Sequence, residues 1–275
     1  RIITHLGADG ICAASILIKA LARIDRPFIV SVVKQLTKEA LEELKDEDYQ
    51  TIFFLDLGSD CLDRIQETSK GKTVFVLDHH EIGASTQKSI IHINPMEHKI
   101  NGAKELSAAG LTYFFCKALN KQNQDLAYLA IVGAVGDLQE NNGFHGLNNI
   151  ILEDARDKIE VKIGIKAYGA YTRNLTQFLE YCVDPFIPQI TGDKQQVLKF
   201  LKEIGLYHKK DEKIVDLDTE SIKILTEAIV KRCPVDKAFV NTTGNNYLIG
   251  LKTGEKIDVR EFSTLLNASG RLQNP

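Results

Sequence analysis

"KTVFVLDHHE", Lys72–Glu81, is the stretch on which the reading of the fold turns. Val74 to Leu77 is an unbroken apolar run that stops at Asp78, His79 and His80. A strand apolar on both faces is buried on both faces, which is the situation inside a parallel sheet covered by helices. Upstream, "TIFFLDLGSD", Thr51–Asp60, repeats the arrangement: Ile52 to Leu55 predict a buried strand, and Asp56 follows. Further upstream "RIITHLGADG" gives strand-like Ile2 to Thr4, then His5, and after a short loop Asp9 and Gly10.

Helix signals fill the gaps between these runs. Ile11 to Arg23 is an apolar helix, Lys38 to Leu44 an amphipathic one, and a third lies near Asp60 to Thr68, with Phe28 to Val33, rich in β-branched residues, as another strand. Strands alternating with helices predict a doubly wound α/β domain, whose ligands sit beyond the carboxyl ends of the strands. Beyond it, Leu106 to Asn120 and Asp125 to Val135 predict two buried helices, the second running into "GAVGDLQE". Asn148 to Arg173 reads as polar and helical, and "YCVDPFIPQITGD" as a connection. Gln195 to Leu206 and Thr219 to Arg232 read as helices, and Ala238 to Leu251 as a hairpin turning at "TTGNN".

With 275 residues, 44% hydrophobic and 26% charged, the chain suits an ordinary globular protein of one large or two smaller domains. A net charge of −3 excludes an overall basic field for nucleic acid, while leaving room for a local basic groove. Cys12, Cys61, Cys116, Cys182 and Cys233 are scattered without zinc spacing, as buried thiols in a reducing cytoplasm are. No apolar run is long enough to span a bilayer, so no membrane partner is expected. The chain starts at Arg1 without a methionine and stops at "GRLQNP", and it is expected to be a portion of something longer.

Four sites carry chemistry: His5 with Asp9, Asp56, the Asp78–His79–His80 cluster, and Asp137 in "AVGDLQE". Strands of one parallel sheet release their chains at the same edge, so the first three can converge without fine tuning. Carboxylates with imidazoles and no thiolate suit Mn²⁺ or a similar divalent ion. A carboxylate between two such ions bridges them at roughly 3.5–4 Å, the spacing of in-line phosphoryl chemistry. Taken singly, Asp56 is an ordinary helix cap, "GADG" an ordinary turn, and Asp137 an ordinary solvated acid. Two adjacent histidines behind an aspartate at a strand end are hard to explain as packing.

On these motifs the chain resembles the DHH phosphoesterase superfamily, and within it the archaeal RecJ-like nucleases. "THLGADG", "LDLGS", "LDHHE" and "GAVGD" carry the superfamily resemblance. "INP", "ELSAAGLTYFF", "CVDPFIPQITG" and "LLNASGRLQNP" favour the archaeal RecJ-like branch. The resemblance implies a doubly wound DHH catalytic domain at 1–185, a helical linker region at 186–237 and the start of a smaller α/β DHH-associated, substrate-binding domain at 238–275. It implies one ion, Mn²⁺ or Mg²⁺, held by Asp9, Asp56, His79 and Asp137. A second would be held by His5, the shared Asp56 and the first aspartate of the opening motif. It also implies that His80 contacts the scissile phosphate, that Asp78 orients the histidine pair, and that Ser107 and Arg271 belong to substrate binding. The plain alternatives are that Ser107 caps a helix and that Arg271 is a surface arginine.

The family's opening motif usually reads H-x-D-x-D-G, whereas here Gly7 stands where its first carboxylate should be. One ion is therefore expected to be retained and the other weak or absent. Gly7 is either the native residue of a relative with reduced or lost cleavage, or a change introduced into an active enzyme. The leading expectation is a metal-dependent exonuclease on single-stranded DNA or RNA, acting in replication and repair. The alternative is a weak or inactive scaffold binding the GINS complex beside the replicative helicase. A further alternative is an oligonucleotide or cyclic-dinucleotide phosphodiesterase of the same superfamily.

Overall fold

A computed structural model of the chain describes residues 1–83, 89–183, 185–233, 243–251 and 253–272. They fall into two compact units, Arg1–Lys158 with Phe262–Pro275, and Ile159–Glu261. The first unit holds a five-stranded sheet of β1 (Ile2–His5), β2 (Val30–Val33), β3 (Thr51–Leu55), β4 (Thr73–Leu77) and β5 (Ile91–Ile93). All neighbours are parallel and their spatial order is β2-β1-β3-β4-β5. The chain moves outward one way from β1 to β2 and the other way from β3 to β5. The topological switch therefore lies between β1 and β3, where doubly wound folds place their ligands.

The two faces of the sheet are sorted by side-chain parity. Ile52, Phe54, Val74 and Val76 point to one face, under α2 (Lys38–Glu43) and α3 (Leu62–Thr68), with Leu41, Leu44, Leu62 and Ile65 completing that core. Phe53 and Phe75 stack at 4.7 Å on the opposite face, and Phe115 of α4 (Ala108–Leu119) meets both edge-on. Each fully buried side chain of the first face, such as Ile52, Phe54 and Val76, contributes about 1.5–3 kcal/mol. α1 (Ala8–Ala22) buries small residues almost all round, which lets α4 and α5 (Ala127–Gly136) close on it. At the tightest point a Cβ on Gly133 would lie 2.5 Å from both Ala109 Cβ and Asp9 Oδ1, so only glycine fits.

The helical reading of 148–173 is corrected. α6 (Leu147–Asp154) is followed by a strand, β6 (Ile159–Ile165), because Ile159, Val161, Ile163 and Ile165 alternate with a period of two. The hairpin also differs. Residues 238–242 lie outside the described residues, and Thr243 to Asn246, read as turn, belong to β7 (Thr243–Gly250), which pairs antiparallel with β6 and with β8 (Lys256–Asp258). In the second unit this sheet accompanies α7 (Leu175–Tyr181), α8 (Lys194–Glu203) and α9 (Thr219–Arg232), around Phe178, Phe200, Leu225 and Ile229. A last helix, α10 (Val259–Arg271), returns the chain to the first unit.

Candidate metal centre

β3 delivers Asp56, whose amide continues the sheet by donating to the Leu77 carbonyl at 3.0 Å. Asp56 is buried with φ at +61°, a left-handed conformation that costs a non-glycine residue of order 1 kcal/mol and clusters at functional sites. The turn aims its two oxygens apart. Oδ1 lies 3.2 Å from His79 Nε2, and Oδ2 lies 3.1 Å from His5 Nδ1 at the end of β1. Burial opposes its charge, but the His5 and His79 rings that face it hold Asp56 below the usual carboxylate range.

Asp9 comes from the first turn of α1 and is 4% exposed. Its oxygens accept the Ala108 and Ala109 amides of α4 at 2.7 and 3.0 Å, so a helix N-terminus fixes the carboxylate and favours its charge. Burial, followed by the nearby Asp56, pushes Asp9 up to about 7. Asp137, at the C-terminal end of α5, is half-exposed and accepts from Gln139 Nε2 at 3.2 Å.

His79 ties the group together. Its Nε2 lies 3.2 Å from Asp56, 3.6 Å from Asp137 and 3.7 Å from Asp9. Its Nδ1 donates to the Gly102 carbonyl at 2.7 Å, which leaves Nε2 as the atom facing three carboxylates. Burial opposes an imidazolium here, but Asp56, Asp9 and Asp137 outweigh it and push the ring up to about 10. His79 Nε2 and Asp56 Oδ1 are nevertheless buried atoms without a hydrogen-bond partner of proper geometry. Two orphaned buried donors of this chemistry, converging with Asp9 and Asp137, fit a divalent cation bound through oxygen and imidazole. A ligating histidine whose other nitrogen is held by a carbonyl is the usual metal arrangement.

Asp78, 1% exposed, lies behind this group. Oδ1 accepts from the His79 amide at 2.8 Å and from His80 Nδ1 at 2.7 Å, while Oδ2 accepts from the Ser59 amide at 2.9 Å. Asp78 stays well below the ordinary carboxylate range despite burial, through His80 and Ser59, and it raises His80 in turn. His80 is more than half exposed and lines a cleft of about 720 Å³ together with His79, Met96, Lys99, Asn101 and Asp137.

Other expected residues are placed as follows. Gly7 has φ −68° and ψ 162°, open to any residue, and a Cβ there would meet His5 Nδ1 at 3.0 Å. Ser107 is fully buried, caps α4 by accepting from the Gly110 amide at 3.3 Å, and bonds Asp9. Arg271 is exposed in the last turn of α10.

Several contributors were not singled out in the sequence. Gln139 Nε2 donates to Gly102 O at 2.8 Å and is itself held by Asn148, so it shares the carbonyl that orients His79. Asn94 Nδ2 bridges Ser59 Oγ and the His80 carbonyl, both at 2.9 Å. Gln139 sits two residues past Asp137, and Asn94 lies in "INP", so both belong to motif stretches. Gly102 gave no signal.

Residues 1–134 match the model of the DHH family, N-terminal domain, and residues 167–243 match the DHH-CID domain. Residues 1–134 and 167–243 thus carry DHH-type domains. An uncharacterized protein, MJ0831, of Methanocaldococcus jannaschii is 33% identical over 278 residues, covering 98% of this chain and 61% of the relative. The chain thus spans about three fifths of the length of the curated relative it matches. Among solved structures, CDC45 from Entamoeba histolytica superposes with a TM-score of 0.72 at 12% identity, over 97% of this chain and 59% of that one. An exonuclease RecJ bound to manganese superposes with a TM-score of 0.50 at 15% identity, over 99% of this chain and 61% of that one. These likenesses establish a RecJ- and CDC45-like DHH fold with its parallel central sheet. No helix among the described residues is long and apolar enough to cross a membrane.

Proposed function

We propose that this chain is a metal-dependent phosphodiesterase acting on single-stranded DNA or RNA, an exonuclease of the RecJ type. The observation that carries the reading is the orphaned His79 Nε2 facing Asp56, Asp9 and Asp137 from within 3.7 Å. These four residues would hold the principal ion, Mn²⁺ or Mg²⁺. Such an ion supplies charge neutralisation at a phosphoryl group and lowers the pKa of water. His5 and Asp56 Oδ2 would form the rest of a second, weaker seat, short of a carboxylate at Gly7.

The protein's own groups have definite tasks. With Nδ1 bound to Asp78, His80 turns Nε2 away from that carboxylate, where it can donate to a phosphoryl oxygen. The Asp78 charge favours the protonated ring needed for that. Lys99 adds a positive charge to the cleft wall for the phosphate backbone. Met96 and Ile100 give the same cleft apolar surface for a base or sugar.

Gly7 favours a second reading, a scaffold that keeps the fold and binds single strands, or GINS beside the replicative helicase, without cutting. A nuclease assay in Mn²⁺ on labelled single strands, comparing the protein with Gly7→Asp, separates the two. Cleavage by either form supports the phosphodiesterase, and strong cleavage after the substitution alone identifies an impaired site. Cleavage by neither form contradicts the proposal and leaves the scaffold.

A further inference from the structure

We propose that Asn267 is a positioning residue of the metal centre, acting on Asp9 through the helix that carries it; this rests on the reading of Asp9 as an ion ligand. The first amides of a helix need partners from outside it, and these ordinarily come from the N-cap side chain. The N-cap of α1 is Gly7, which makes no side-chain cap. The Ala8 amide donates instead to Asn267 Oδ1 at 2.8 Å, an acceptor delivered by α10 from the far end of the chain. Asp9 is the next residue.

Two further observations show that α10 is fitted to this loop. A Cβ on Gly270 would lie 2.0 Å from the Leu6 carbonyl oxygen, so the helix backbone rests directly on the opening motif. Ser263, Asn267 and Gly270 recur at helical spacing along one stripe, of which Ser263 and Gly270 are buried, while Leu265 and Leu272 are 54% and 74% exposed. Of this stripe, Asn267 and Gly270 both meet the backbone of the opening motif, at Ala8 and at Leu6. α10 thereby closes the first turn of α1 from outside, and Asp9 is held from two sides, by Asn267 at its helix start and by the Ala108 and Ala109 amides at its carboxylate. Outer-shell contacts of this kind typically change metal affinity about 10–100-fold when removed.

The test is calorimetric titration of the full chain with MnCl₂, well below the melting temperature. Asn267→Ala is expected to weaken Mn²⁺ binding about 10-fold or more with an unchanged circular dichroism spectrum, and Asn267→Asp, which keeps the acceptor, to restore it. Gly270→Ala should also weaken binding by lifting α10 from Leu6 while Asn267 remains, and it decides the matter if Asn267→Ala does not fold. Unchanged affinity in Asn267→Ala, no restoration by Asn267→Asp, or, for an unfolded Asn267→Ala, unchanged affinity in Gly270→Ala overturns the proposal. Loss of Mn²⁺ binding in the unsubstituted protein would overturn the metal centre itself.

Discussion

His79 faces three carboxylates through a single nitrogen, and without a cation the only way to satisfy them is to keep its proton. Binding a divalent ion must expel that proton, since a ligating imidazole is neutral. With His79 at about 10, ion binding near pH 8 is expected to release about one proton, read as the dependence of calorimetric heat on buffer ionisation enthalpy. No release would mean that the ion binds elsewhere. Stability carries the same signature. The folded His79 titrates above its ordinary 6.5, so its contribution is complete below 6.5 and is lost as pH rises toward 10. Asp9, raised from 3.8 to about 7, contributes fully below 3.8 and loses that contribution as pH rises to 7. Asp56 and Asp78, held low, act with the opposite sign but have added their full contribution by about pH 5, so the ion-free protein is expected to lose melting temperature from about pH 5 upward, and saturating Mn²⁺ to suppress that loss above pH 7. A further expectation concerns Asp56, which offers an oxygen to both His5 and His79. Asp56→Asn should reduce Mn²⁺ affinity at least about 100-fold, since losing a ligand exceeds the loss of a supporting contact.

At the scale of elements, the site depends on how closely α1, α4 and α5 approach. Gly133→Ala places a methyl 2.5 Å from Asp9 Oδ1 and should cost about 1–3 kcal/mol in urea unfolding as well as weakening the ion. Ser107→Ala removes a cap and a bond to Asp9, with an expected cost of about 1 kcal/mol by the same measurement. Elements with a strong apolar signature were legible: the strand reading around Val74 to Leu77 differs from β4 by one residue, and Thr219 to Arg232 matches α9. β5 has three residues at a sheet edge, too few to show a period. β6 is hidden in the sequence because Glu160 and Lys162 give the segment a polar look, although its β-branched residues alternate. Thr243 to Asn246 carry turn chemistry, yet β6 supplies the pairing that keeps them extended. Tertiary partners overrode local preference there.

For the molecule as a whole, the parallel order with its switch between β1 and β3 accounts for the convergence of His5, Asp56 and the Asp78 cluster at one edge. That much followed from strands ending in acids and histidines, because a parallel sheet has only one carboxyl edge. Asp137 required more, since it arrives on a helix, and its place beside His79 was carried by resemblance before distance. Asn267 and Gly102 were out of reach from sequence. Asn267 meets its partner across nearly the whole chain, and Gly102 contributes a carbonyl that every residue possesses. The two units each have a separate core, so substitutions around Phe200 and Leu225 are not expected to alter ion affinity. The measurement that bears most directly on the metal centre is an anomalous difference map from crystals grown with Mn²⁺. A peak coordinated together by Asp9, Asp56, His79 and Asp137 is the expected result, and a fully occupied ion elsewhere with those four side chains bound only to protein would contradict it.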